Sequence, residues 1–421
     1  MQSPAPESSA YDIPALHQAL VDQLKNNGHI LSSNIEAAFH AVPRHLFLPD
    51  VALDEVYRDQ AIATKSIDGQ FVSSSSQPTI MAIMLEQLQL QPGQRILEIG
   101  AGTGYNAALM AHIVGEAGQV ITIDIDEDIV EGARAHLAEA GFERVKVLCA
   151  DGGSGYPEAA PYDRIVLTVS AADITPAWRS QLKSDGRLLL PLVLRGPQAS
   201  VAFVPVEDHL ESLSVKACGF VGLRGAFAEA DTVVQLHPEP GQLFLRLGEA
   251  HPVDAQAIYE LLHGPAQDLP LSVQVSPSML FSGLGFWLAL HEPLFGSLTA
   301  YGPLAEQRIV PDLFSFLGKV PSASTAGLFS ENALSVLMRD PAFTISDISL
   351  FNLYLRSFGP AEALTQRLKD LVIEWDAVGR PGEQQLRLSA YPRDLYCPIK
   401  ESDVVVSKRW TNFVCSWQAP G

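Results

Sequence analysis

Apolar positions recur at helical spacing from residue 11 to 48, and two helices are expected there. LHQALVDQLKNNG ends at Gly28; SSNIEAAFHAV follows, with Ser33 or Asn34 as its cap, and stops before Pro43. From residue 79 to about 190 the pattern changes. Short, nearly continuous apolar runs alternate with amphipathic stretches of 10–14 residues. RILEIG (95–100), VITID (120–124), VKVLCAD (145–151), DRIVLTVS (163–170) and RLLLPLV (187–193) read as strands. NAALMAHIVG (106–115), DIVEGARAHLAEAG (128–141) and PAWRSQL (176–182) read as the helices between them. Strands apolar on both sides, separated by helices, predict a parallel sheet covered on both faces. The expected fold is therefore α/β, a doubly wound sheet.

Beyond about residue 195 the alternation breaks. SVAFVPVED and LESLSVKACGFVG have no helix between them and suggest a hairpin at the sheet edge. Residues 226–245, which include HPEPGQ, suggest a linker. In PAEALTQRLKDLVIEWDAVG, Leu364, Leu368, Leu371, Val372 and Trp375 fall on one helical face, between the strands ISLFNLYLRSFG and QQLRLSAYP. This predicts a second, C-terminal α+β domain. We place the division at 1–235 and 236–421.

Composition narrows the partners. The 421 residues include 28 Lys plus Arg and 48 Asp plus Glu, a formal charge of −20. Residues 1–224 carry −12 and the remainder −8, so neither part is basic. A phosphate-tracking nucleic-acid binder is disfavoured, as is an anionic membrane surface. MQSPAPESSAYD has neither the basic start nor the apolar core of an export signal, and the apolar run 279–290 is far shorter than a spanning helix needs. A cytoplasmic protein is expected. Cys149, Cys218, Cys397 and Cys415 form no CxxC pair and are expected to be reduced and mostly buried. The histidines show no metal-ligand spacing, and Asp124, Asp126 and Asp128 do not complete a calcium loop, so no metal is expected.

The sharpest motif is ILEIGAGTGYNAALMA (96–111). Gly100, Gly102 and Gly104 sit between a strand and a helix, where glycine permits a tight turn and close approach of a ligand to the backbone. Asp124 ends the next strand, where a carboxylate can accept hydrogen bonds from a ribose diol. Asp151-Gly152 ends the third, where a side chain and a backbone group can read an adenine edge. Open parallel sheets bind ligands at this edge. Together these residues resemble the S-adenosylmethionine-dependent methyltransferases, and the resemblance implies a Rossmann-like doubly wound domain. The resemblance implies that Glu98 and the glycine loop face the amino-acid part of S-adenosyl-L-methionine, Asp124 the ribose, and Asp151 and Gly152 the adenine.

A narrower resemblance runs over about residues 20–225. VPRHLFLP (42–49), SSSQP (74–78), ADGGSGYPEAAPYDRIVL (150–167) and QLKSDGRLLLPL (181–192) are similar, in order, to blocks of the protein-L-isoaspartate O-methyltransferase family. The resemblance implies Ser76 as the active-site serine, with Ser75, Gln77 and Thr168 at the substrate. A carboxylate, with a pKa of about 4, is already the anionic nucleophile at neutral pH. Methylating it needs positioning rather than a general base. Where that family has Gly-Ala-Ala this chain has Thr168-Val169-Ser170-Ala171-Ala172, with Trp178 in the helix that follows, and it is longer by nearly 200 residues. These departures resemble the subgroup that tailors ribosomally made, lanthipeptide-like peptides, in which a methylated aspartate closes to a succinimide and opens to isoaspartate. The expected substrate is a peptide or protein bearing Asp or isoAsp. Repair of damaged proteins is one alternative. A non-catalytic adaptor is another, disfavoured by the intact glycines and Asp124. The oligomeric state stays open.

Overall fold

The computed structural model describes residues 12–67, 70–228, 232–237, 239, 242–311, 313–316, 321–340, 343–345 and 348–419. Most of the N-terminal dodecapeptide and parts of HPEPGQ therefore lie outside the described residues.

The chain builds two large sheets. The first has a parallel block in the order Lys146–Cys149, Gln119–Asp124, Arg95–Ile99, Tyr162–Leu167, Leu182–Val193. The hairpin Gln198–Val206 and His209–Cys218 continues it antiparallel. Alternate residues of each parallel strand feed opposite layers. Ile96 and Val120 join one core with the helices Tyr105–Val114 and Pro78–Leu88, while Leu97 and Ile121 join the other with Trp178, Leu188 and Phe203. Burial on both faces is why these strands lack a polar alternation.

The hairpin is not the edge of the sheet. Ser389 and Ala390 pair with Glu211 and Leu210, so Leu386–Pro392 adds the next strand, followed by Thr411–Trp417 and Val404–Ser407. Leu386, Leu388, Val406 and Phe413 enter the same core as Leu188 and Phe203. The strand–helix–strand unit expected near the C-terminus is thus split. Its helix Glu362–Ala377 buries Leu368, Leu371, Val372 and Trp375, as the periodicity predicts, and its first strand, Ile348–Phe358, lies in the second sheet. Its last strand returns to the first, because the hairpin offers both an unpaired edge and an apolar layer.

The second sheet is antiparallel throughout and runs Val233–Gln235, Leu243–Leu247, Phe295–Tyr301, Ser322–Phe329, Leu334–Arg339, Ile348–Phe358, Ala266–Val275. Its first strand lies within the stretch that reads as a linker, and its second begins there. Phe295–Tyr301 supplies the pairing that the short Leu243–Leu247 needs. Arg195 joins the two sheets through Glu249 (2.6 Å) and the Leu290 carbonyl (2.8 Å). Among the described residues no helix is long and apolar enough to cross a membrane.

Smaller expectations shift. Ser32, not Ser33 or Asn34, precedes the second helix, and its side chain makes no cap bond. Of the cysteines Cys415 is fully buried and Cys218 and Cys397 are partly buried; Cys149 is exposed because its strand is the outermost of the parallel block.

Candidate functional site

The parallel order reverses beside Arg95–Ile99: successive strands add first on one side and then on the other. A cleft opens at the carboxyl ends of the strands there, as such reversals produce. It is lined by Gly100, Gly102, Asp124, Gly152 and Thr168 on the sheet side, and by Ser73 to Ser76 opposite.

The glycine turn is set by backbone conformation. Gly100, Gly102 and Gly104 all have positive φ, at 102°, 50° and 89°. At Gly100 a Cβ would lie 2.6 Å from Thr168 Oγ1. At Gly102 a Cβ would meet only the Ser74 carbonyl, at 3.6 Å, and would otherwise project into the cleft. Gly104 packs its bare face on Leu137 and so seats the helix Tyr105–Val114.

Asp124 closes this cradle. Its carboxylate accepts from the backbone N–H of Gly102 (3.2 Å) and of Ile125 (2.9 Å). Burial raises its pKa, against the pull of those N–H groups. Glu98 is fully buried and does not line the cleft; it accepts from Asn106 Nδ2 at 2.7 Å, and Asn106 does line it. Burial pushes the Glu98 carboxyl up to about 7. Asp151 turns toward the far wall, accepting from the N–H groups of Gly153 (3.0 Å) and Ala226 (2.7 Å). Gly152 lines the cleft, fixed from behind by Trp178, whose Nε1 donates to its carbonyl at 2.9 Å.

The serine run forms the strand Gln70–Ser75 of a hairpin with Ile62–Ile67 and leads into the helix Pro78–Leu88. Ser76 faces the cleft with its carbonyl held by Arg44 at 3.1 Å. Ser75 lines the cleft too, its hydroxyl accepting from Arg44 at 3.4 Å. Thr168 lines it with a hydroxyl that donates to the Gly100 carbonyl at 2.5 Å. Gln77 stands apart: its amide donates to Asp59 Oδ2 (3.1 Å), on the outer side of the helix start. The structure thus gathers Gly100, Gly102, Asp124, Gly152, Thr168, Ser75 and Ser76 around one space, and sets Glu98, Gly104, Asp151 and Gln77 behind its walls.

Two residues escape a reading of motifs. Arg44 is fully buried and donates to the carbonyls of Val56, Arg58, Gln60 and Ser76, so one side chain fixes the whole approach to the serine segment. Its only sequence signal is its place in VPRHLFLP. Arg224 lines the cleft and pairs with Asp126 at 2.6 Å; Lys65 of the hairpin reaches the same carboxylate at 2.9 Å. Arg224, with Lys65 second, holds the Asp126 carboxyl below its usual range. Asp126 therefore clamps the hairpin and the 220–224 segment over the cradle. Lys65 also reaches Asp128 at 2.7 Å, whereas Asp124 is held by backbone N–H groups.

A cradle of this shape suits a ligand with polar ends: N–H groups and a carboxylate on one wall, hydroxyls on the other, and apolar Ile99, Ile123 and Val166 between. A family model described as protein-L-isoaspartate(D-aspartate) O-methyltransferase (PCMT) matches residues 15–227. The protein-L-isoaspartate O-methyltransferase of Hyperthermus butylicus is 39% identical over 228 residues, covering 51% of this chain and 92% of the relative. That of Methanopyrus kandleri is 38% identical over 210 residues, covering 49% and 91%. A solved protein-L-isoaspartate O-methyltransferase structure aligns over 89% of this chain and 96% of its own, with 25% identity and a TM-score of 0.49.

Proposed function

Because the chain belongs to the protein-L-isoaspartate(D-aspartate) O-methyltransferase family and is thereby an S-adenosyl-L-methionine-dependent protein carboxyl O-methyltransferase, we propose that it esterifies an Asp or isoAsp side-chain carboxylate of a peptide. The observation that carries this reading is the cleft itself. The cofactor-type cradle of Gly100, Gly102 and Asp124 faces a wall formed by Ser73 to Ser76.

The residues fit the cofactor: the space at Gly102 is one that any side chain would fill. Gly100, Gly102 and Asn106 would hold its amino-acid end, with Glu98 orienting Asn106 from behind. Asp124 would take the ribose, and Gly152, steadied by Asp151 and Trp178, the adenine. When bound, S-adenosylmethionine supplies an electrophilic methyl group on sulfur. Ser76 would donate to the acceptor carboxylate without removing a proton, since a hydroxyl is a donor and the carboxylate is already ionised. Ser75 and Thr168 would shape the wall around it. The chain's task is to fix one oxygen and exclude water. Gln77 would act through the helix start and Asp59 rather than by contact.

The finer reading is maturation of a defined peptide in the cytoplasm. What supports it is the second sheet, with its covering helix, beyond the 15–227 match. Selecting one aspartate among many requires contacts away from the carboxylate, and residues 236–421 are where we place them. Mass spectrometry of an isoaspartyl or aspartyl peptide incubated with enzyme and cofactor tests the activity. The expected product gains one methyl and then loses methanol to form a succinimide. A peptide unchanged over many equivalents of enzyme removes the reading. Methylation of unrelated isoaspartyl peptides with similar kcat/KM would instead assign general repair.

A further inference from the structure

A second concavity lies between the two sheets, apart from the cofactor cradle. Its walls include Leu280, Phe281, Phe286, Phe295, Leu313 and Phe314, and its polar lining reduces to Gln198, Cys218 and Ser297. The Cys218 thiol is pushed up to about 12 by burial and stays neutral. Leu280–Leu284, on one side, is a π-helical turn, a widened geometry frequent at functional sites. It leaves Phe281 59% exposed at the cavity, against Phe314 at 5.3 Å. A large aromatic ring held half in water beside an apolar hole favours a ligand that covers both.

The topology places this hole relative to the acceptor cleft. Leu182–Val193 runs parallel to Tyr162–Leu167, so its end lies at the carboxyl edge of the sheet. Val193 pairs with Gln198, and Gln198 with Cys218, so the cavity walls 196–198 and 217–218 sit on the same edge as Thr168. They stand two to three strands away, roughly 10–15 Å. Gln198 links the two spaces directly: its Nε2 donates to the Phe220 carbonyl at 3.1 Å, and its Oε1 accepts from the Phe220 N–H at 2.7 Å. Phe220 lines the acceptor cleft.

We propose that this cavity is a subsite for one large apolar side chain, aromatic or branched aliphatic, of the peptide being methylated. The proposal rests on the carboxyl-methyltransferase reading above. An extended peptide advances about 3.3 Å per residue, so the anchoring side chain lies roughly three to four residues from the acceptor. The peptide runs along the sheet edge, across the ends of the strands. The Gln198–Phe220 pair stands between the cavity and the acceptor cleft, and the cavity's apolar walls would reject a charged or small polar residue at that position.

Two isoaspartyl peptides test this, identical except for Phe or Ser at the third and fourth positions on either side of the acceptor. The full chain should prefer the Phe peptide by about 10- to 100-fold in kcat/KM, the scale of burying one such side chain. Ala326→Phe fills the cavity from the second sheet and should bring the ratio near one; Ser297→Phe does so from the neighbouring strand and serves if the first variant does not fold. Equal rates for the two peptides with the unmodified enzyme overturn the subsite, as does an intact preference in a folded, filled variant. Calorimetry of both peptides with S-adenosylhomocysteine present separates this from the activity. Tighter binding of the Phe peptide without any methylation supports the subsite and removes the reaction assigned above. Equal binding overturns the subsite.

Discussion

In the first sheet, the central parallel strands end in residues that line one cleft; in the second, among the described residues, every pairing is antiparallel and no comparable cluster forms. The contrast follows from connectivity. Parallel strands send successive carboxyl ends to the same edge, so residues distant in sequence converge there. Antiparallel strands alternate ends, so the second sheet offers broad faces, and its cavity is apolar and assembled from side-chain bulk. A reactive centre suits the first arrangement and a recognition surface the second.

The strands Leu386–Pro392, Val404–Ser407 and Thr411–Trp417 bring the chain back from the second sheet into the first, and removing them should have the largest effect. A chain ending at residue 383 loses Leu386, Leu388, Val406 and Phe413 from the core shared with Leu188 and Phe203. At about 1.5–3 kcal/mol each this approaches a typical domain's whole stability. We expect no cooperative thermal transition; a truncated protein with native Tm would show that the sheets fold separately. For the same reason, excising 236–421 whole is a poor test of recognition.

Next is the cradle. Gly102→Val, at φ 50° and aimed into the cleft, should abolish S-adenosylhomocysteine binding by calorimetry while leaving the circular dichroism spectrum intact. Retained binding would show that the ligand lies elsewhere. Ser76→Ala should then lower kcat by roughly 10- to 1000-fold, with cofactor affinity unchanged. An unaltered rate would leave the serine wall as a support for the hairpin only.

The smallest effect concerns Glu98. Its carboxyl titrates near 7 in the folded protein against a reference of 4.5, so the native state favours the protonated form. Its contribution is fully present below about pH 4.5 and is lost as pH rises through about 7. Glu98→Gln keeps an acceptor for Asn106 and should stabilise the ligand-free protein at pH 8 by about 1–2 kcal/mol, flattening denaturation midpoints between pH 5 and 8. A midpoint that rises with pH in the parent protein would reverse the sign.

Much of the first region was legible because its signals are local. Glycines demanding positive φ, a carboxylate ending a strand and apolar runs of strand length are properties of a few consecutive residues, and the parallel order follows from the strand–helix alternation. The face of Glu362–Ala377 was legible for the same reason: four buried side chains repeat at helical spacing. What tertiary structure alone decided depends on partners far along the chain. QQLRLSAYP looks like a strand in any context, yet its sheet was chosen by Leu210 and Glu211, nearly 180 residues earlier. Gly104, Asp151 and Gln77 carry motif identities, but packing against Leu137, Ala226 and Asp59 places them behind the cleft. Arg44, marked only by its place in VPRHLFLP, and Arg224 matter because four backbone carbonyls and one aspartate converge on them. Backbone conformation and periodicity are written residue by residue, whereas the choice of strand partner and the satisfaction of a buried charge are settled only when the whole chain competes for the same edges and donors.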